Sequence, residues 1–193
     1  EKMHGPINSS IARVLNALGL MYLRQGNPVA ACPLFERAYT IRKQVLGEMQ
    51  SETVTTLHNL GATLRELGEY EKAIQCSQQA MAAWEANFGP DSTYIAKTLN
   101  SLGVTYHKMG CYAESRDCLE RALKNRLEGH GEHHFDTADT LFNLGELAQA
   151  MGELAAARAY YTRALRIHEQ VTNPAHPQAI ACRQALAKLG EPT

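Results

Sequence analysis

Few residues in this chain could do chemistry, and most of them stand apart. His130, Glu132, His133, His134 and Asp136 crowd one segment and offer imidazole and carboxylate donors of the kind that collect a transition metal. No i,i+4 pair fixed on a helix and no cysteine organises them, so the segment reads as a solvated loop and no metal is expected. The five cysteines show no CxxC or CxxxC spacing, which indicates neither a disulfide framework nor a zinc cluster. Cys76 and Cys118 read as small packed thiols. No nucleophile motif, phosphate loop or pair of carboxylates stands out, so neither enzymatic activity nor a cofactor is expected.

The elements that carry these residues follow from composition and period. In 193 residues, 19 Lys and Arg face 20 Asp and Glu, a balance that argues against a nucleic-acid binder relying on a basic surface. Ala (27) and Leu (22) far outnumber Val (6) and Ile (7), which favours helix formers over β-branched strand formers and predicts an all-α protein. No window approaches the roughly 18 uninterrupted apolar residues of a membrane span, and the first residues lack a signal-peptide profile. A cytoplasmic protein with reduced cysteines and no membrane partner is expected.

The glycines reveal a repeat. Gly19, Gly61, Gly103 and Gly145 are spaced by 42 residues; so are Gly26, Gly68, Gly110 and Gly152, and so are Gly5, Gly47, Gly89 and Gly131. Leu15, Leu57, Leu99 and Leu141 share the period, as do Leu18, Leu60, Leu102 and Leu144, and Ala38, Ala80, Ala122 and Ala164. The first glycine of each unit lies inside an apolar helical pattern, where it costs roughly 1 kcal/mol relative to Ala, so close helix approach must offset it. The second marks a tight turn, as Gly26-Asn27-Pro28 shows by reading as helix stop, N-cap and N1 proline. The third ends the second helix, and Asn173 replaces it at the next step, as a left-handed backbone position allows.

Each unit is therefore helix A, turn, helix B, loop. Helix A is expected at about 9–25, 51–67, 93–109, 135–151 and 177–189, and helix B at about 28–46, 70–88, 112–128 and 154–172. Pro33 removes one early hydrogen bond from the first helix B. The whole chain reads as a single domain with repeats at about 9–50, 51–92, 93–134 and 135–176 and a terminal helix at about 177–189. Gly5-Pro6 matches Gly89-Pro90, which makes residues 1–7 the tail of a preceding repeat and implies at least one more repeat upstream.

Leu15, Leu18, Gly19, Tyr22, Gly26, Ala31, Phe35 and Ala38 fit the signature spacing of a tetratricopeptide repeat, and Leu57, Leu60, Gly61, Gly68, Tyr70, Ala73 and Ala80 repeat it. The 42-residue period, Leu99-Asn100-Ser101-Leu102-Gly103, Ala31-Cys32-Pro33-Leu34, Arg37-Ala38-Tyr39-Thr40-Ile41-Arg42 and the His176-Pro177 loop resemble the kinesin light chain-like and nephrocystin-like members of that family. The sequence departs from them at Glu48-Met49-Gln50-Ser51, at Pro90-Asp91-Ser92-Thr93 and at Phe142. The resemblance implies a right-handed α-solenoid, or superhelix, of helix-turn-helix repeats.

Such solenoids bind partner segments on an inner wall built mostly from A helices. With Leu15, Leu18, Gly19 and Tyr22 on the buried stripe, the opposite face carries Arg13, Asn16, Leu20, Leu23 and Arg24. Stepping by 42 gives a candidate groove of Asn16, His58, Asn100 and Phe142, flanked by Arg13, Thr55, Lys97 and Asp139, by Leu23, Arg65, His107 and Gln149, and by Arg24, Glu66, Lys108 and Ala150. The family resemblance implies that Asn16 and Asn100 hold a bound peptide's backbone, a task suited to a primary amide, which both donates and accepts. Arg13, Arg24, Arg65, Lys97 and Lys108 outweigh Glu66 in the first three repeats, so a neutral protein is expected to hold a basic groove. His58 and His107 are expected to add to it below about pH 6.5. Trp84 shares a column with Arg42, Arg126 and His168, which suggests a partly exposed aromatic at the outer edge.

The expected function is that of a module binding a protein or peptide partner, the ligand being an extended acidic segment. The alternatives are a structural scaffold or self-association array, or a sensor arm regulating an attached effector domain.

Overall fold

The computed structural model describes residues 6–90, 92–171 and 176–190, with side chains from residue 9 onward. Gly5, Asn173 and the first five residues of the supposed upstream tail lie outside the described residues. The chain divides into two compact units, residues 1–90 and 91–193. Among the described residues there are nine α-helices and no strand. The first unit holds α1 (Pro6–Arg24), α2 (Pro28–Val45), α3 (Ser51–Glu66) and α4 (Tyr70–Phe88). The second holds α5 (Thr93–Lys108), α6 (Tyr112–Gly129), α7 (Phe135–Ala150), α8 (Leu154–Val171) and α9 (Pro177–Lys188). Helix α1 opens at Pro6, three residues before its expected start, so Pro6 and Ile7 join the helix instead of a preceding loop.

Odd and even helices pair through tight turns that the main chain builds in the same way four times. Gly26, Gly68, Gly110 and Gly152 all have φ between +71° and +79°, a conformation only glycine adopts without strain. The next amide then reaches back five residues: Asn27 N–H to the Tyr22 carbonyl (2.9 Å), Glu69 to Leu64 (2.9 Å), Cys111 to Tyr106 (2.9 Å) and Glu153 to Ala148 (2.8 Å). This is the Schellman bond that satisfies the last carbonyls of a helix. In the first turn Asn27 also caps α2, its side-chain oxygen accepting from Ala30 N–H at 3.1 Å ahead of Pro28.

The glycines inside the A helices serve close approach. A Cβ added at Gly145 would lie 2.6 Å from the Tyr161 ring, at Gly103 2.6 Å from Leu119 Cγ, and at Gly19 2.8 Å from Phe35. Each of these large B-helix side chains is buried against the glycine's bare backbone. At Gly61 the facing residue is the small Ser77, and a Cβ would meet Cys76 Cβ at 3.1 Å. Ala38, Ala80, Ala122 and Ala164 are fully buried along the B helices.

Helices also pack between successive hairpins of one unit, α2 on α3, α6 on α7 and α8 on α9. That second layer buries the Leu60 and Leu144 column: Leu60 joins Ala31 and Phe35, and Leu144 joins Leu119. Leu18, expected on a buried stripe, is instead 38% exposed where Leu60 is 7%. The reason is architectural, since among the described residues no B helix covers that side of α1.

Candidate functional site

Within each unit the A helices lie side by side, α1 next to α3 and α5 next to α7. Asparagines link them. Asn59 donates from Nδ2 to Asn16 Oδ1 at 3.1 Å, and Asn143 donates to Asn100 Oδ1 at 3.0 Å, all four amides being half-buried. Both predicted asparagines therefore sit on the A-helix face, but each is already half of a pair. The second members, Asn59 and Asn143, belong to a column of Ala17, Asn59, Ser101 and Asn143 that sequence reasoning passed over. The spacing of 43 between partners, repeated once along the chain, is the signal that could have found them.

The cations are distributed unevenly. Arg13 and Arg24 on α1 and Lys97 and Lys108 on α5 are exposed. Arg65 is not one of them: its guanidinium donates to Glu66 Oε1 at 3.2 Å, so a neighbouring carboxylate offsets its charge. His58 is half-buried on α3. His107 departs from expectation too, because burial lowers its imidazole pKa below the usual value, with Lys108 pushing the same way and Glu146 opposing. It stays neutral further into acid than a free histidine, and the anticipated gain in positive charge near pH 6.5 does not arise there.

In the second unit His107 and the predicted Phe142 line a cavity of about 510 Å³ with Glu146, Gln149, Tyr161 and Lys188. The Phe142 and Tyr161 rings are 5.4 Å apart, and the Tyr161 hydroxyl donates to Gln149 Oε1 at 3.0 Å. Gln149 thus orients a buried ring, and Leu23 packs against the Phe35 cluster, so these two of the column's four members serve the core as well as the rim. The cavity is amphipathic, with an anion and a cation on its wall. Asp139, placed in a flanking column from sequence, instead faces the buried His168, whose Nε2 is 3.5 Å from Asp139 Oδ1.

Trp84 is a correction. It is 3% exposed, its ring 5.7 Å from that of Phe88, and it forms no outer edge. The whole column turns inward, and its two arginines have partners on the next A helix. Arg42 Nη1 donates to the Glu52 carbonyl (2.7 Å) and to Thr56 Oγ1 (2.5 Å); Arg126 makes the same two contacts with the Asp136 carbonyl and Thr140 Oγ1. A guanidinium at this position plugs the first turn of the following helix, where it meets a carbonyl already accepting from a threonine.

The histidine-rich segment is more ordered than a solvated loop. Glu132 is held by Arg163 (3.1 Å) and Arg166 (3.0 Å), and His133 Nδ1 lies 2.9 Å from Gln170 Oε1. One donor atom from each of His130, His134 and Asp136 falls within 4.8 Å of the others.

The comparisons with known proteins agree with this architecture. The tetratricopeptide repeat model matches residues 10–86, 52–128, 94–170 and 136–189, and the chain belongs to that family. Among solved structures it is similar to BtubC (BKLC) from P. vanneervenii, with TM-score 0.79 and 17% identity over 96% of this chain and 74% of that one. It is also similar to the nearly identical TPR-like repeats of a kinesin light chain from Podosopora anserina (TM-score 0.73, 19% identity, 94% of this chain and 86% of that one). A Rap protein complexed with competence and sporulation factor superposes with TM-score 0.78 at 15% identity, over 91% of this chain and 47% of that one. Clustered mitochondria protein homologs from Aspergillus oryzae and Aspergillus clavatus are 25% and 26% identical over 91 residues, 47% of this chain. The chain spans 7% of the length of these curated relatives. The fold is the all-α tetratricopeptide solenoid class, a protein-interaction module. Among the described residues no helix is long and apolar enough to cross a membrane.

Proposed function

We propose that the A-helix face of each unit holds an extended, acidic segment of a protein partner, its backbone bonded to that unit's asparagine pair. The observation that carries this reading is the pairing itself. Asn59–Asn16 and Asn143–Asn100 spend the carbonyl of one amide and one N–H of the other. Each pair still carries N–H donors on one asparagine and a carbonyl on its partner, the complement of a peptide unit. Pairing also fixes the rotamers beforehand, which lowers the entropy cost of binding.

The exposed Arg13, Arg24, Lys97 and Lys108 support the preference for carboxylates, and the cavity beside Phe142 suits one side chain of the ligand. The Rap protein of the same fold is complexed with competence and sporulation factor, which supports an interaction role for such a scaffold. The alternative of a self-association array looked to an apolar edge at Trp84, and that side chain is buried.

Fluorescence anisotropy with acidic, neutral and basic peptides of equal length tests the proposal. Asn100→Ala is expected to weaken a bound acidic peptide by about 1–3 kcal/mol with little salt dependence, since it strands backbone groups of the ligand. Lys97→Glu is expected to weaken it in a salt-dependent way. Equal binding of acidic and basic peptides would reject the charge preference, and an Asn100→Ala protein that binds a verified partner normally would reject the amide contact.

A further inference from the structure

We infer that His130, His134 and Asp136 form a binding site for a divalent transition metal at the junction of α6 and α7. His130 follows the last turn of α6, His134 is the N-cap of α7, and Asp136 lies in the first turn of α7. The two imidazole rings stack with centroids 4.2 Å apart and planes 10° from parallel, so they present their edges side by side. Asp136 Oδ2 is 3.9 Å from His130 Nε2 and 3.6 Å from His134 Nδ1. Ligand atoms around a tetrahedral zinc stand about 3.3 Å from each other, so closing the set requires movements on the order of an ångström.

The rest of the segment is arranged around this triad. Arg126 donates to the Asp136 carbonyl and lies 3.7 Å from Oδ1, which leaves Oδ2 toward the histidines. A ligand carboxylate oriented through its second oxygen is the outer-shell arrangement metal sites use. Glu132 and His133, equally good donors by type, are engaged by Arg163, Arg166 and Gln170. Two imidazoles and one carboxylate select zinc, nickel, cobalt or copper over magnesium or calcium, and three protein ligands leave a fourth position for water or for a donor from a partner. On binding, His134 Nδ1 exchanges the hydrogen bond it accepts from Asp136 N–H (3.2 Å) for the metal. The ion then clamps helix B of one repeat to helix A of the next.

The test is calorimetric titration of the whole 193-residue chain, free of any affinity tag, with Zn²⁺, Co²⁺ and Mg²⁺, and thermal melting with and without Zn²⁺. One equivalent of Zn²⁺ is expected to bind and to raise the melting temperature, Co²⁺ is expected to show the visible absorption of a tetrahedral site, and Mg²⁺ is expected to give no heat. His130→Ala and Asp136→Asn should each weaken Zn²⁺ by at least about tenfold, with His133→Ala unchanged. Metal-free melting of each variant separates loss of the site from loss of the fold, and Asp136→Asn keeps the backbone contacts if His130→Ala unfolds. Absence of stoichiometric binding, full affinity in both triad variants, or an equal loss in His133→Ala would overturn the assignment.

Discussion

Arg126 and Asp139 show how single side chains at the α6–α7 junction act on stability. Arg126 is 4% exposed and bridges a carbonyl and a hydroxyl at once, a task that needs a planar fork of donors. Arg126→Lys, which supplies one point donor, is expected to cost about 1–3 kcal/mol in urea unfolding by leaving a buried acceptor short of a partner. Asp139 behaves differently. Burial pushes its carboxyl up to about 6, with Arg126 and His176 pulling it down, Asp136 pushing it up, and His168 facing it. An unfolded Asp titrates near 3.9, so the folded chain holds the extra proton between about pH 4 and about pH 6, and this group's contribution to stability falls as pH rises through that window. Asp139→Asn removes the dependence. Its melting temperature is therefore expected to gain on the parent's between about pH 4 and about pH 7, and a constant difference would contradict the burial of this carboxyl.

At the scale of helices, the glycine columns give a graded prediction. Gly145→Ala and Gly103→Ala drive a methyl into a buried ring or branched side chain, an overpacking that costs roughly 1–3 kcal/mol against the roughly 1 kcal/mol gained in helix propensity. Gly61→Ala meets its nearest neighbour at 3.1 Å and faces Ser77, so its loss should be the smallest of the three. Thermal melts of the three variants give the order. Helix ends were legible in the sequence because positive-φ glycines set them, and every predicted A–B turn falls where Gly26, Gly68, Gly110 and Gly152 stand. What sequence did not show was the inward turn of the Arg42, Trp84, Arg126 and His168 column. Hydropathy ranks Arg as an outer residue, and only the position of a carbonyl and a threonine on the next helix makes it an inner one. Leu18 failed in the opposite direction, since an apolar stripe states what a helix offers and not whether another helix covers it. The asparagine pairs were half legible, with Asn16 and Asn100 found by period and Asn59 and Asn143 lost in a mixed column.

Across the whole molecule the formal charge is −1, so a distant acidic ligand meets almost no net field. Attraction begins only near the exposed cations, within about a Debye length of roughly 10 Å at 0.1 M salt. Stopped-flow association of an acidic peptide is therefore expected to slow with salt while dissociation changes little. A salt effect confined to dissociation would place the ion pairs in the bound complex instead. The same devices recur in both units, Arg42 with Arg126 and the pair Asn16–Asn59 with Asn100–Asn143. The turns recur more often still, and they are made almost wholly by main-chain atoms. The position after each turn glycine holds Asn27, Glu69, Cys111 and Glu153, four residues of three kinds, because the bond common to the four turns needs only its amide; Asn27 adds a side-chain cap. Selection for folding has little grip there. Neutral drift should accumulate at that position before it touches the glycine beside it, and Cys111→Ser, which keeps the amide and puts a capping oxygen at the start of α6, is expected to leave the melting temperature unchanged or raised.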